Sequence, residues 1–238
     1  MIALFRYFIF IVLLFLSLGI ITPLALLRPM NNKNSFVFFK VFAFLCRYLC
    51  GVRLNIEGRD IVEKNRPSVV VGNHQHNFDV LTARAIFTQH TVVLGKYELG
   101  YIPIFGQIYT LCGNILVQRG KHKKAMESMA SLEKKIIQKG LSVLIFPEGH
   151  RNSKKEMLPF KKGAFYTAIN TQIPIIPFSV SQFVQYDVLN KLGLVDIYIR
   201  IHEPINTKGK THRDIIDIMK KTRSVIEDGV KELNQKYD

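Results

Sequence analysis

The spacing of hydrophobic positions changes its period along this chain. From Tyr7 to Leu27 the apolar run is continuous and carries no charge. A membrane-spanning helix needs about 20 such residues, so the run is long enough to cross a bilayer. A cleaved signal peptide would have a shorter apolar core and a small-residue cleavage site, and Leu26-Leu27-Arg28-Pro29-Met30 is a poor one. Pro23 allows a kink, and with it a helix that dips in and returns. Phe36 to Leu49 is a second apolar stretch, interrupted by Lys40 and Arg47. It fits either an interfacial helix with basic side chains at the headgroups or a helix packed on the globular part.

Beyond Gly51 the pattern becomes globular. Short apolar runs predict buried strands at 68–71, 91–94, 114–117, 142–146 and 174–178. The stretch 196–201 alternates, as a half-exposed or edge strand does. Between the strands lie helical patterns. Met126, Met129, Leu132, Ile136 and Ile137 form a predicted core stripe, stopped at Gly140. Near the C-terminus Thr211 is placed to cap a helix carrying Ile215, Ile218, Met219 and Ile226. Strand-helix alternation predicts an α/β fold, a mixed and largely parallel sheet flanked by helices. Residues 1–50 are expected to anchor the chain to a membrane, and 51–238 to form the catalytic domain. In such sheets the site gathers at loops beyond the strand ends.

Charge narrows the partners. Lys and Arg outnumber Asp and Glu by 33 to 18, a net +15. That suits anionic lipid, acidic small molecules, an acidic carrier protein or nucleic acid. Nucleic acid is disfavoured, because no basic stretch is interleaved with aromatics in a binding pattern. Arg28, Lys33, Lys40 and Arg47 follow the apolar run and only Arg6 precedes it. This bias predicts a domain facing the cytoplasm, at the inner membrane in a bacterium. The three cysteines, Cys46, Cys50 and Cys112, show neither disulfide-framework nor zinc spacing.

The chemistry centres on Asn73-His74-Gln75-His76-Asn77-Phe78-Asp79. Five residues along a helix turn the side chain by about 140°. A loop at His74 leading into a helix at Asp79 would instead bring the two together. Asp79 would then orient one imidazole nitrogen while the other takes a proton from a hydroxyl. No nucleophilic Ser or Cys adjoins the pair. The spacing is also close to the metal-binding pattern HxHxDH, but here the aspartate stands one place late and the third histidine is missing. No metal and no cofactor is expected. Other blocks end strands with a cation: Gly95-Lys96-Tyr97-Glu98-Leu99, Gly113 to Arg119, and Phe146-Pro147-Glu148-Gly149-His150-Arg151. An arginine at such a turn presents a planar fork to phosphate.

Taken in order, these blocks resemble the 1-acyl-sn-glycerol-3-phosphate acyltransferase (lysophosphatidic acid acyltransferase) family, over about Gly51 to Glu203. The family block NHxxxxD is similar to Asn73-His74 through Asp79. Its glycine-to-arginine block is similar to Gly113–Arg119, FPEGTR to Phe146–Arg151, and its VPIIP-like strand to Ile173–Pro177. Leu158-Pro159-Phe160-Lys161-Lys162-Gly163-Ala164 also resembles a family segment. His150 replaces a threonine, and His76 stands where many members have serine.

The resemblance implies His74 and Asp79 as the catalytic pair, and Arg119, Glu148, Gly149 and Arg151 at the glycerol phosphate, with Lys96 as a helper. It implies lysophosphatidic acid as acceptor, an acyl thioester on coenzyme A or acyl carrier protein as donor, and phosphatidic acid as product. A thioester is already activated, so a base, a held alcohol and oxyanion donors suffice. Membrane phospholipid is the expected setting. The rival readings are an acyltransferase for another lysophospholipid and a non-catalytic membrane-surface binding protein.

Overall fold

The computed structural model describes residues 1–118, 122–154 and 156–237. Two long helices open the chain: α1 (Ile2–Leu27), then α2 (Asn32–Leu45), which runs into one π-helical turn at Cys46–Cys50. There follow β1 (Val52–Glu57), α3 (Ile61–Lys64), β2 (Val69–Gly72), α4 (Asp79–Ile86), β3 (Thr91–Lys96), α5 (Phe105–Leu111) and β4 (Ile115–Val117). The rest is α6 (His122–Lys139), β5 (Ser142–Ile145), α7 (Gly163–Thr171), β6 (Ile175–Val180), β7 (Val195–Ile201) and α8 (Ile215–Asn234).

The seven strands form one sheet in the order β1-β7-β6-β2-β5-β3-β4. β6, β2, β5, β3 and β4 run parallel. β7 pairs antiparallel with β6, and β1 pairs parallel with β7, so these two run opposite to the block. The sheet is therefore mixed and largely parallel, as the strand-helix alternation predicts.

One expectation is resolved and one corrected here. Of the two readings of the alternating strand, half-exposed or edge, the first holds: β7 lies between β1 and β6 with one partly exposed face. The edge on that side is β1, which the sequence reading passed over. Val52, Leu54 and Ile56 alternate with Arg53, Asn55 and Glu57, and the polar half is held across the sheet: Arg53 and Asn55 both donate to the Asp196 carboxylate of β7. Ile137 is 67% exposed and leaves the stripe of α6, whereas Leu132 and Ile136 are fully buried. The side chain of Met126 lies outside the described residues. Thr211 caps a 3-10 turn, His212–Asp214, that leads directly into α8; Thr211 and Asp214 make a reciprocal capping box there.

Each face of the sheet has its own core. One is filled from α6, α7 and α8, with Leu132, Ile136, Phe165, Ile218 and Ile226 against Val69, Val71 and Val143. The other takes Phe10 and Leu13 of α1, Phe38 and Phe42 of α2, and Phe78 and Leu81 beside Val70, Leu144 and Phe178. The N-terminal helices thus share a core with the sheet. α1 is long and apolar enough to cross a membrane, and Pro23 sits inside it without ending it. One face is buried; Leu4, Phe5, Phe8, Phe15, Leu16 and Ile20 on the other are exposed. α2 likewise buries Phe38, Phe39 and Phe42 and exposes Lys40, Phe44, Tyr48 and Leu49.

Candidate active site

β2 ends at Gly72, under the ring of Phe178. A Cβ at Gly72 would stand 2.4 Å from that ring, so only glycine lets the two strands close up. The next residue is pinned as well. The Asn73 side chain donates to the Val180 carbonyl (2.9 Å) and accepts from the Val180 N–H (2.8 Å). His74 leaves the strand from this fixed base.

The turn that follows brings His74 and Asp79 together. His74 Nδ1 lies 2.7 Å from Asp79 Oδ2. That oxygen also accepts the backbone N–H groups of Gln75 (2.6 Å) and His76 (2.9 Å). The aspartate is buried at 2% exposure. One carboxylate therefore orients the imidazole and holds the loop that carries it. With Nδ1–H given to Asp79, the ring's lone pair is on Nε2. His76 takes no part in this contact. Its Nδ1 accepts from the Phe78 N–H (3.3 Å), and burial holds its pKa below the ordinary histidine value. Among the described residues no cluster of three or more His, Cys, Asp or Glu side chains is placed to hold a metal ion.

The segment after β5 supports His74 in three ways. The Phe146 ring stacks on the imidazole, with centroids 4.1 Å apart and planes 17° from parallel. The Asn152 N–H donates to the His74 carbonyl at 2.8 Å. Glu148 accepts the His74 N–H on Oε1 (2.8 Å) and the Leu158 N–H on Oε2 (2.9 Å). Glu148 is 2% exposed, and burial pushes its carboxyl above the usual carboxylate range, against the pull of those two N–H groups. Both carboxylate oxygens of Glu148, expected at the phosphate, thus accept backbone N–H groups.

Beside the pair opens a cavity of about 670 Å³, lined mainly by apolar groups from α1, α2, α4 and α5, among them Phe10, Leu14, Phe38 and Ile108. His74, Asp79, Lys96, Gly149, His150 and Arg151 are among its polar lining. Arg151 and His150 are exposed. Lys96 is exposed and pairs with Glu98 at 3.5 Å. Gly149 has φ +78°, and the aliphatic stem and ammonium of Lys161 lie across it, so a Cβ would meet Lys161 Nζ at 2.8 Å. Arg119 lies outside the described residues.

The histidine-carboxylate pair thus lines an apolar cavity together with Lys96 and Arg151. The acyltransferase family model matches residues 53–181. The 1-acyl-sn-glycerol-3-phosphate acyltransferase of Escherichia coli is 32% identical over 210 residues, 88% of this chain and 85% of that one. The chain belongs to the 1-acyl-sn-glycerol-3-phosphate acyltransferase family. The Haemophilus influenzae enzyme of the same name is 35% identical over 168 residues, 71% of this chain and 70% of that one. The 1-acyl-sn-glycerophosphate acyltransferase structure from Thermotoga maritima shares the fold, with a TM-score of 0.74 and 24% identity over 98% of this chain and 94% of that one.

Sequence reasoning joined His74 to Asp79 and missed the groups that hold them. Phe146 and Lys161 sit inside motifs it quoted, as neighbours of the residues it singled out. Asn152 acts through its backbone, which no side-chain pattern reveals. Tyr7, on α1, read only as one apolar position in a long run.

Proposed function

We propose that this acyltransferase moves an acyl group from a thioester, on coenzyme A or acyl carrier protein, to the sn-2 hydroxyl of 1-acyl-sn-glycerol 3-phosphate, giving phosphatidic acid. The observation that carries this reading is the 2.7 Å contact between His74 Nδ1 and Asp79 at the mouth of the apolar cavity. His74 Nε2 takes the hydroxyl proton as the oxygen bonds to the thioester carbon. The imidazolium, stabilised by Asp79, then returns that proton to the departing thiolate. Ester and thiol leave, and no acyl-enzyme is needed. Arg151 and Lys96, which line the cavity, hold the phosphate with Lys161, which lies across Gly149, and with Arg119 as a further cation. Gly149 lets that turn bend. Glu148 positions His74 and does not touch substrate. The cavity takes an acyl chain.

The same reading makes residues 1–50 the membrane-docking part and 51–238 the catalytic part. α1 lies along the membrane surface, because the catalytic domain covers one of its faces and its exposed face is apolar. The positive charge of α2 and of the site rim suits anionic headgroups. The catalytic domain faces the cytoplasm.

An assay of purified protein in phospholipid vesicles, offering several lysolipids with each thioester donor, tests the reading. Transfer to lysophosphatidate above the other acceptors is expected. Equal transfer to a lysolipid whose phosphate carries a headgroup would overturn the acceptor assignment.

A further inference from the structure

The first two turns of α1 are bolted to the catalytic domain. Arg6 is 6% exposed and donates to four carbonyls. Two precede β1, Cys50 (2.8 Å) and Gly51 (3.0 Å). Two precede β7, Lys191 (2.8 Å) and Gly193 (2.6 Å). The Ala3 N–H adds a bond to the Asn190 side chain at 2.9 Å. A buried guanidinium is tolerated only when its donors are met, so this clamp fixes both the place and the rotation of the helix start.

The next residue is Tyr7, and the clamp aims it at the catalytic loop. Its hydroxyl accepts from Asn77 Nδ2 at 2.7 Å. Its ring meets the edge of His76 at 6.2 Å and lies 6.5 Å from Phe78. Three successive loop residues, 76 to 78, thus rest on one side chain of α1. They connect His74 to Asp79. Among the described residues, the Asn77 side chain has no other hydrogen-bond partner. On the opposite side of α1, Leu4, Phe5 and Phe8 are exposed.

We propose that Tyr7 is a positioning residue for the catalytic loop, and that α1, clamped by Arg6, acts as a strut that completes the site and does not only tether it. This rests on the reading of His74 as base, but the two fail separately: His74→Ala tests the base with the strut intact.

The test uses the full chain on phosphatidylethanolamine/phosphatidylglycerol vesicles, with lysophosphatidate and a coenzyme A or carrier-protein thioester. Tyr7→Phe keeps the ring contacts and removes the hydroxyl. The expected result is a kcat lower by about tenfold, the loss of one well-placed hydrogen bond. Both KM values stay within twofold, and thermal midpoint and vesicle co-sedimentation match the wild type. Asn77→Ala is expected to lower kcat similarly, and the double variant to be no worse than the poorer single. Tyr7→Phe with kcat within twofold of wild type would overturn the proposal. So would losses that multiply in the double variant, or a fall explained by weaker vesicle binding.

Discussion

The two faces of the sheet do different work with different materials. The face under α6, α7 and α8 is packed mainly with Ile, Val and Leu. The face under α1 and α2 adds a cluster of eight buried phenylalanines to its aliphatic residues, where the first face has two, and it borders the cavity and the His74–Asp79 pair. Branched aliphatic side chains interlock with few gaps, as a stabilising core requires. Rings there meet on edge and offset, such as Phe10 against Phe42 at 5.1 Å and 68°. The second face also borders the cavity.

This contrast breaks if a site change unfolds the protein or a core change alters chemistry. The largest effect is expected at His74. Replacement by alanine should lower kcat about 10²–10⁴-fold, the range for losing a general base, while circular dichroism and vesicle binding stay normal. Near-normal turnover would remove His74 from the mechanism. On the opposite face, Leu132→Ala should cost about 2–5 kcal/mol of stability through transfer and cavity terms, read by denaturant unfolding. Its kcat per folded molecule should be unchanged, and an altered acyl-chain preference would show that the faces are coupled.

Glu148→Gln sharpens the comparison, because it tests whether a buried group at the site acts on chemistry or on substrate. The amide can accept one N–H and must turn its NH₂ toward the other, which leaves a buried donor opposed, at about 1–3 kcal/mol. The fall should appear in kcat, with acceptor KM little changed. Burial holds the Glu148 carboxyl above the usual range, so protonation in the wild type begins at a higher pH than for an exposed glutamate. The gap between the two proteins should therefore narrow as pH falls; a gap independent of pH would contradict it. Arg151→Ala should do the reverse of Glu148→Gln. Acceptor KM should rise about 10–100-fold, one charge-assisted contact, and an unchanged KM would take Arg151 off the phosphate.

The aliphatic face was the legible one. Period and capping located α6 and α8, and five short apolar runs and one alternating stretch located six of the strands, because buried residues there recur at a regular spacing. β1 escaped because half of an edge strand is polar by design, and its partner Asp196 is 143 positions away from Arg53. On the other face, the motifs placed His74 beside Asp79 correctly. They singled out Glu148 without revealing its two backbone N–H partners, because a motif records that a residue type is needed and does not show what it contacts. Tyr7 was illegible, since the contact to Asn77 spans 70 residues and nothing in a continuous apolar run marks which side chain turns inward.

The Arg6 clamp also imposes an order on how the protein is made. Its acceptor Lys191 is made 185 residues after Arg6 itself. At about 5–20 residues per second, roughly 10–40 s pass before that carbonyl exists. Through that interval α1 can pack on α2 and Arg6 can reach Cys50 and Gly51, but the other half of the clamp is missing. The apolar helix is therefore complete well before its clamp is, and the segment leading into β7 locks the first turn last.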